Sequence, residues 1–151
     1  MVRRPFLSPA PLSLFLRRSG PPRAARGTKP SQEFHMSRMF EIIRVDMRDR
    51  VVLLRLKGRI EQHAAHLLLE QGQVVANQGR NLIVHLGGVR FMGSTGVASL
   101  LALAEYFEER GRSVRFTDPS PCVSALIDLL QLRDVVNVDA HSSEALQAVR
   151  A

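Results

Sequence analysis

From residue 40 onward the apolar positions fall into repeating strand and helix periods. Phe40 to Val45 and Val51 to Leu56 are β-rich runs on either side of the polar turn Met47-Arg48-Asp49-Arg50, which predicts a hairpin. Gly58 breaks the chain. Gln62 to Asn77, rich in Ala, Leu, Gln and Glu, predicts a helix that Gly79 stops. Leu82 to Leu86 predicts a short buried strand, after which Gly87 and Gly88 open a loop. A second helix is predicted from Ser94 to Arg110, ended by Gly111, with Val97, Leu100, Leu101, Ala104 and Phe107 on one face.

The second half continues in the same way. Ser113 to Thr117 alternates as a half-exposed strand does, with Val114 and Phe116 on one side. Asp118-Pro119-Ser120-Pro121 predicts a turn into a third helix, with Ser120 as its cap and Pro121 in the tolerated first position. Val123, Leu126, Ile127 and Leu130 form that helix's apolar stripe. Val135 to Val138 is the last predicted strand, and Ser142 caps a final helix running to Val149. The order β-β-α-β-α-β-α-β-α predicts an α/β domain over residues 39–151. Its sheet is mixed and mostly parallel, with about five strands and about four helices.

Residues 1–38 carry no such period. Pro5, Pro9, Pro11, Pro21, Pro22 and Pro30 interrupt every short apolar run, which predicts a disordered, basic, Pro/Arg-rich tail. Arg3-Arg4-Pro5-Phe6-Leu7 has the look of a twin-arginine export start. Pro9 and Pro11 break the apolar stretch behind it, however, and no A-x-A-like cleavage site follows. The pattern favours a later translation start, at Met36 or Met39. No run approaches the ~18 apolar residues of a membrane span, so a soluble, cytoplasmic protein without membrane insertion is expected.

Charge changes the picture only through its location. The net charge is +7. Residues 1–38 hold eight cationic side chains against Glu33 alone, while 39–151 hold thirteen of each sign. The whole excess therefore belongs to the tail. A neutral domain argues against a nucleic-acid face, because neutralising phosphates requires clustered Arg and Lys.

Candidate chemistry is sparse. Cys122 is the single cysteine, which leaves no disulfide and no CxxC pair, and its place at the start of an apolar helix suggests a buried thiol. His63, His66 and Glu70 share a helix face but lack further metal ligands at recognisable spacing, so a solvated face is expected and no metal. His85, in a buried strand, reads as a satisfied core residue or a strand-end hydrogen bonder. The segment Gly87-Gly88-Val89-Arg90-Phe91-Met92-Gly93-Ser94-Thr95-Gly96 joins a strand to a helix and could cradle an anion. Yet it is neither GxGxxG, a P-loop nor the GxSxG elbow, and the chain's only lysines are Lys29 and Lys57. On the residues alone, Ser94 as a helix N-cap accounts for a serine there. No enzymatic activity and no cofactor are expected.

The stretch Val84-His85-Leu86-Gly87-Gly88-Val89-Arg90-Phe91-Met92-Gly93-Ser94-Thr95-Gly96-Val97 resembles the signature of the STAS domain of bacterial anti-sigma-factor antagonists. In that family a buried strand leads into Phe-Met-Asp-Ser-Ser-Gly-Leu. Leu56-Lys57-Gly58-Arg59-Ile60-Glu61, Arg110-Gly111-Arg112 and Ser142-Ser143-Glu144-Ala145-Leu146 resemble further family segments, in order and at family spacing. The resemblance covers roughly residues 39–151. It implies a protein-binding switch whose partner is an anti-sigma factor of the serine-kinase type. It implies phosphorylation at Ser94 and partner binding through Arg90, Phe91, Met92, Gly93, Ser94, Thr95 and Gly96. Two positions depart: the family's Asp before the serine is Gly93, and the acidic residue near the strand end is His85. Both remove negative charge beside Ser94. Members without a phospho-switch act as scaffolds or as transporter-associated regulatory subunits, and that alternative stays open here.

Overall fold

The computed structural model describes residues 32–36 and 39–150. They form six strands and four helices: β1 (Gln32–Met36), β2 (Phe40–Met47), β3 (Val51–Ile60), α1 (Gln62–Asn77), β4 (Asn81–Met92), α2 (Ser94–Glu109), β5 (Val114–Thr117), α3 (Pro121–Leu129), β6 (Val138–Asp139) and α4 (Ser142–Arg150). The strands lie side by side in chain order in one sheet. β1–β2 and β2–β3 are antiparallel, and β3 through β6 are parallel. The predicted α/β class and mixed sheet are what is found.

Strand alternation divides the apolar side chains between two faces. Val52, Leu54, Leu56, Leu82, Val84 and Phe116 point into the larger core, where they meet Leu67 and Leu68 of α1, Leu100, Leu103 and Phe107 of α2, and Val123 and Ile127 of α3. Val51 and Ile83 point the other way and meet Ala145 and Val149 of α4. The hairpin turn is tied to the end of α1: the Arg50 guanidinium donates to the Gly79 carbonyl from Nε and Nη2 at 3.3 and 3.1 Å.

The structure departs from the pattern in four places. β1 falls inside residues 1–38, where the sequence reads as tail. Gln-Glu-Phe-His-Met has no β-branched residue to announce a strand, and its order comes from pairing with the edge of β2. The remaining tail residues, the Arg3-Arg4 motif among them, lie outside the described residues.

β3 and β4 also run past their predicted ends, to Ile60 and Met92. Gly58 does not break β3 but bulges within it at φ +92°, where a Cβ would lie 2.2 Å from the Met39 carbonyl oxygen. Gly87 and Gly88 stay in β4, and two register shifts absorb the misfit.

The predicted strand Val135–Val138 is mostly a turn. Val135 and Val136 both donate their N–H groups to the Leu132 carbonyl, and only Val138–Asp139 pairs with β5. Finally, Ser142 is the first residue of α4, not its cap. Its hydroxyl donates to Asp118 Oδ2 at 2.8 Å.

Candidate functional site

The extended ends of β3 and β4 place the predicted site. The Gly93 N–H donates to the Ile60 carbonyl at 3.1 Å, so the strand pairing reaches the residue before α2. Gly93 is then the N-cap of α2, with φ −84° and ψ −179°, and Val97 N–H closes the first helical bond on its carbonyl at 3.1 Å. Ser94 is therefore one residue too late to cap, and its hydroxyl makes no hydrogen bond among the described residues. The capping role read from the residues alone is replaced by an exposed, uncommitted hydroxyl in the first helical turn. The backbone N–H groups of such a turn have no intrahelical acceptor and carry the positive end of the helix dipole. No acidic residue lies in this turn.

The seven residues singled out in the motif divide by exposure. Arg90, Ser94 and Thr95 are exposed, and Phe91 is 39% exposed. Met92 is 4% exposed and Gly96 is buried, so these two shape the platform from within. A Cβ on Gly96 would come within 2.6 Å of Met92 Cγ and 2.8 Å of the Ile60 carbonyl oxygen, which is how α2 rests directly on the end of β3. Gly93 has room: an added Cβ would meet only Phe91 Cε2, at 3.7 Å. Phe91 is covered on one side by the Arg59 guanidinium, 4.2 Å from the ring centroid, and Arg59 Nε is held by Glu61 Oε2 at 2.7 Å. Arg90 has no ion-pair partner among the described residues.

His85 is a strand hydrogen bonder. Its Nδ1 accepts from the Gly87 N–H at 3.3 Å, and its Nε2 lies 3.4 Å from Asp118 Oδ2. Burial pushes the Asp118 carboxyl upward. The Ser142 hydroxyl and the His85 and His141 imidazoles outweigh that and hold it below the usual carboxylate range. The His85–Asp118–Ser142 contacts join β4 and the β5–α3 turn to α4, a grouping that spacing along the chain does not reveal. His63 and His66 are exposed on α1, and no group of three His, Cys, Asp or Glu among the described residues could hold a metal ion. His63 meets the edge of Phe40, with ring centroids 5.6 Å apart. Cys122 is half-buried against the larger core.

A second feature adjoins Thr95. An open groove of about 710 Å³ runs between the N-terminal halves of α1 and α2, and sequence reading misses it because it belongs to two helices at once. The only trace along the chain is the small residues Ala65, Ala98 and Ala102 on the facing sides. No helix among the described residues is long and apolar enough to cross a membrane.

Comparison with known proteins gives one family. A family model described as the Mlab, STAS domain matches residues 43–147. The anti-sigma-B factor antagonist of Bacillus subtilis (strain 168) is 26% identical over 96 residues, which is 64% of this chain and 88% of that protein. The crystal structure of an anti-sigma factor antagonist from Mycobacterium paratuberculosis superposes with a TM-score of 0.64 at 24% identity, covering 74% of this chain and 95% of that one. The Bacillus cell-fate determinant SpoIIAA in its phosphorylated form gives a TM-score of 0.56 at 22% identity, covering 79% and 99%.

Proposed function

The chain belongs to the STAS domain family, and from that premise we propose that it is an anti-sigma-factor antagonist of the cytoplasm. In this reading it is a binding module without catalytic activity. It docks to an anti-sigma factor of the serine-kinase type through the surface from Arg90 to Thr95 and is switched off by phosphorylation at Ser94. The observation that carries the reading is the Ser94 hydroxyl, exposed and without a hydrogen-bond partner among the described residues, at the first position of α2. A phosphate there would add about −1.5 to −2 charge at a helix N-terminus, where open N–H groups and the dipole favour an anion by roughly 0.3–1 kcal/mol. The fold would tolerate the modification. A partner surface closing over it would meet a desolvated charge.

The relatives support the role by their names, and one fold neighbour exists in a phosphorylated form. The test is calorimetry with the purified serine-kinase anti-sigma factors of the source organism, with mass spectrometry after incubation with ATP. Ser94→Asp is expected to keep its melting temperature and lose about 1–3 kcal/mol of binding. Equal binding by Ser94→Asp and wild type would move the docking surface elsewhere.

One observation favours a second reading, a constitutive scaffold or transporter-associated subunit with no phospho-switch. Neither Gly93 nor the first turn of α2 supplies the acidic group that precedes the serine in the family motif. Gly93→Asp decides between the two, since the position has space for the side chain. Phosphate transfer to the variant but never to wild type would establish the constitutive binder.

A further inference from the structure

The sheet face turned away from the larger core is covered by α4 only in part. Ala145, Leu146 and Val149 of α4 meet Val51 and Ile83, which precede Arg55 and His85 along their strands. Leu54, Leu56 and Val89 point into the larger core, so by strand alternation Arg55, Lys57 and Arg90 point to the α4 side of the sheet. All three are exposed, and none has an ion-pair or hydrogen-bond partner among the described residues. A Cβ on Gly88 would come 2.6 Å from Lys57 Cγ, so the bare backbone there lets the lysine stem lie close on the sheet. The carboxylates nearby are few and mostly engaged. Asp118 is met by His85, His141 and Ser142, and Glu61 by Arg59. Glu41 stands opposite Lys57 across the β2–β3 ladder, half-buried and without an ion pair among the described residues. Three cations therefore face one free carboxylate, on a domain whose formal charge over residues 39–151 is zero.

We infer that this basic end of the sheet face is a second contact of the docking surface and takes an acidic segment of the partner protein. The inference rests on the docking reading above and adds the chemistry of what docks beside it. Arg90 belongs to both surfaces, which makes them continuous at the end of β4. Arg55 and Lys57, two residues apart on one strand, are set about 7 Å apart at the backbone. Alternate side chains of an extended chain have the same spacing, so Asp or Glu at every second position can meet both. The chain itself is a poor occupant. Residues 1–38 carry eight cations against Glu33, and a second copy presenting this face brings the same positive charge. A nucleic acid fits less well. Three cations neutralise few phosphates, and Gly87 and Gly88 offer no ring on which a base could stack.

The test uses the full chain and each purified serine-kinase anti-sigma factor of the source organism, with Kd measured at several salt concentrations. The double variant Arg55→Glu, Lys57→Gln reverses one charge and removes the other. Glutamine is chosen at position 57 because a carboxylate there would face Glu41. Arg112→Glu is the control, an exposed cation without an ion pair among the described residues, just before β5 at the opposite end of the parallel strands. For the factor that binds wild type, the double variant is expected to bind at least about tenfold more weakly at low salt and to lose most of the salt dependence. Arg112→Glu should change little. Arg55→Gln alone should weaken binding severalfold, and it decides the matter should the double variant fail to fold. Wild-type binding that neither the double variant nor Arg55→Gln reduces overturns the acidic contact and leaves the docking reading standing. An equal loss with Arg112→Glu shows long-range attraction without a site and overturns the contact too. Binding of no factor by wild type overturns both readings. Binding of single-stranded DNA or phosphatidylglycerol vesicles that depends on Arg55 and Lys57, with the factor's affinity untouched, assigns the face to a polyanion, and the inference falls.

Discussion

Two helices of this domain start from the same kind of junction, a parallel strand turning into a helix, and the starts of α2 and α3 are finished differently. At α3 the Ser120 hydroxyl accepts the Val123 N–H at 3.4 Å, Pro121 follows in the first turn, and Ser120 itself is buried. At α2 a glycine occupies the cap, no side chain caps the turn, and two hydroxyl-bearing residues face outward. The first junction is closed by its own sequence. The second is held from beneath, by Gly93 on Ile60 and by the close seat of Gly96, and its upper side is left open. The contrast teaches that α2 is anchored through backbone contacts, which leaves its terminal polar groups open to solvent.

Substitutions at the two junctions can break that contrast, and the largest effect belongs to the seat. Gly96→Ala forces a Cβ against the Ile60 carbonyl and Met92. It should cost about 1–2 kcal/mol in chemical denaturation, even though alanine favours helix. A neutral or stabilising result would show that α2 does not depend on this contact.

Next is the cap pair. Ser120→Ala should lose about 1 kcal/mol and lower the melting temperature by several degrees, whereas Ser94→Ala should stay within about 0.5 kcal/mol of wild type. Equal losses at the two serines would erase the distinction.

The α3 junction also carries a pH dependence, through Asp118. The folded pKa of Asp118 is depressed, so its contribution is complete above the unfolded value near 3.8 and is lost as pH falls through the lower folded value. In thermal scans across the acid range, Asp118→Asn should be less stable than wild type at neutral pH and converge with it in strong acid. The smallest expected effect is a gain. Gly93→Asp puts a carboxylate at an N-cap that already has extended geometry, and should stabilise the domain by a few tenths of a kcal/mol.

Legibility in the sequence follows the same divide. Ser120-Pro121 states its own structure, because cap and first-turn proline act within a few residues, and α1 was readable from Gln62 to Asn77 for a similar reason. Ser94 was misread as a cap because the sequence cannot say that Gly93 ends the pairing with β3. The continuation of β4 through Gly87 and Gly88 was hidden likewise, since only a partner strand distant in sequence makes glycines into strand residues. The groove was invisible because Ala65 and Ala98 become neighbours only once α1 and α2 lie side by side. The motif around Ser94 points to the proposed site; its exposure pattern, with Met92 and Gly96 inside, needed the fold.

The turn that replaces most of the last predicted strand has a consequence for life in a crowded solution. A parallel sheet that ends in a full-length strand offers a row of unpaired N–H and C=O groups on which another chain can grow. Here the residues after α3 bond back onto Leu132, Val136 turns inward, and β6 contributes only Val138 and Asp139. Two residues are too short a template for stable strand addition. Val135, 59% exposed, stays outside any ladder. The margin of the sheet is thereby blunted by loss of length, and copies of the chain meeting at that margin find almost nothing to extend.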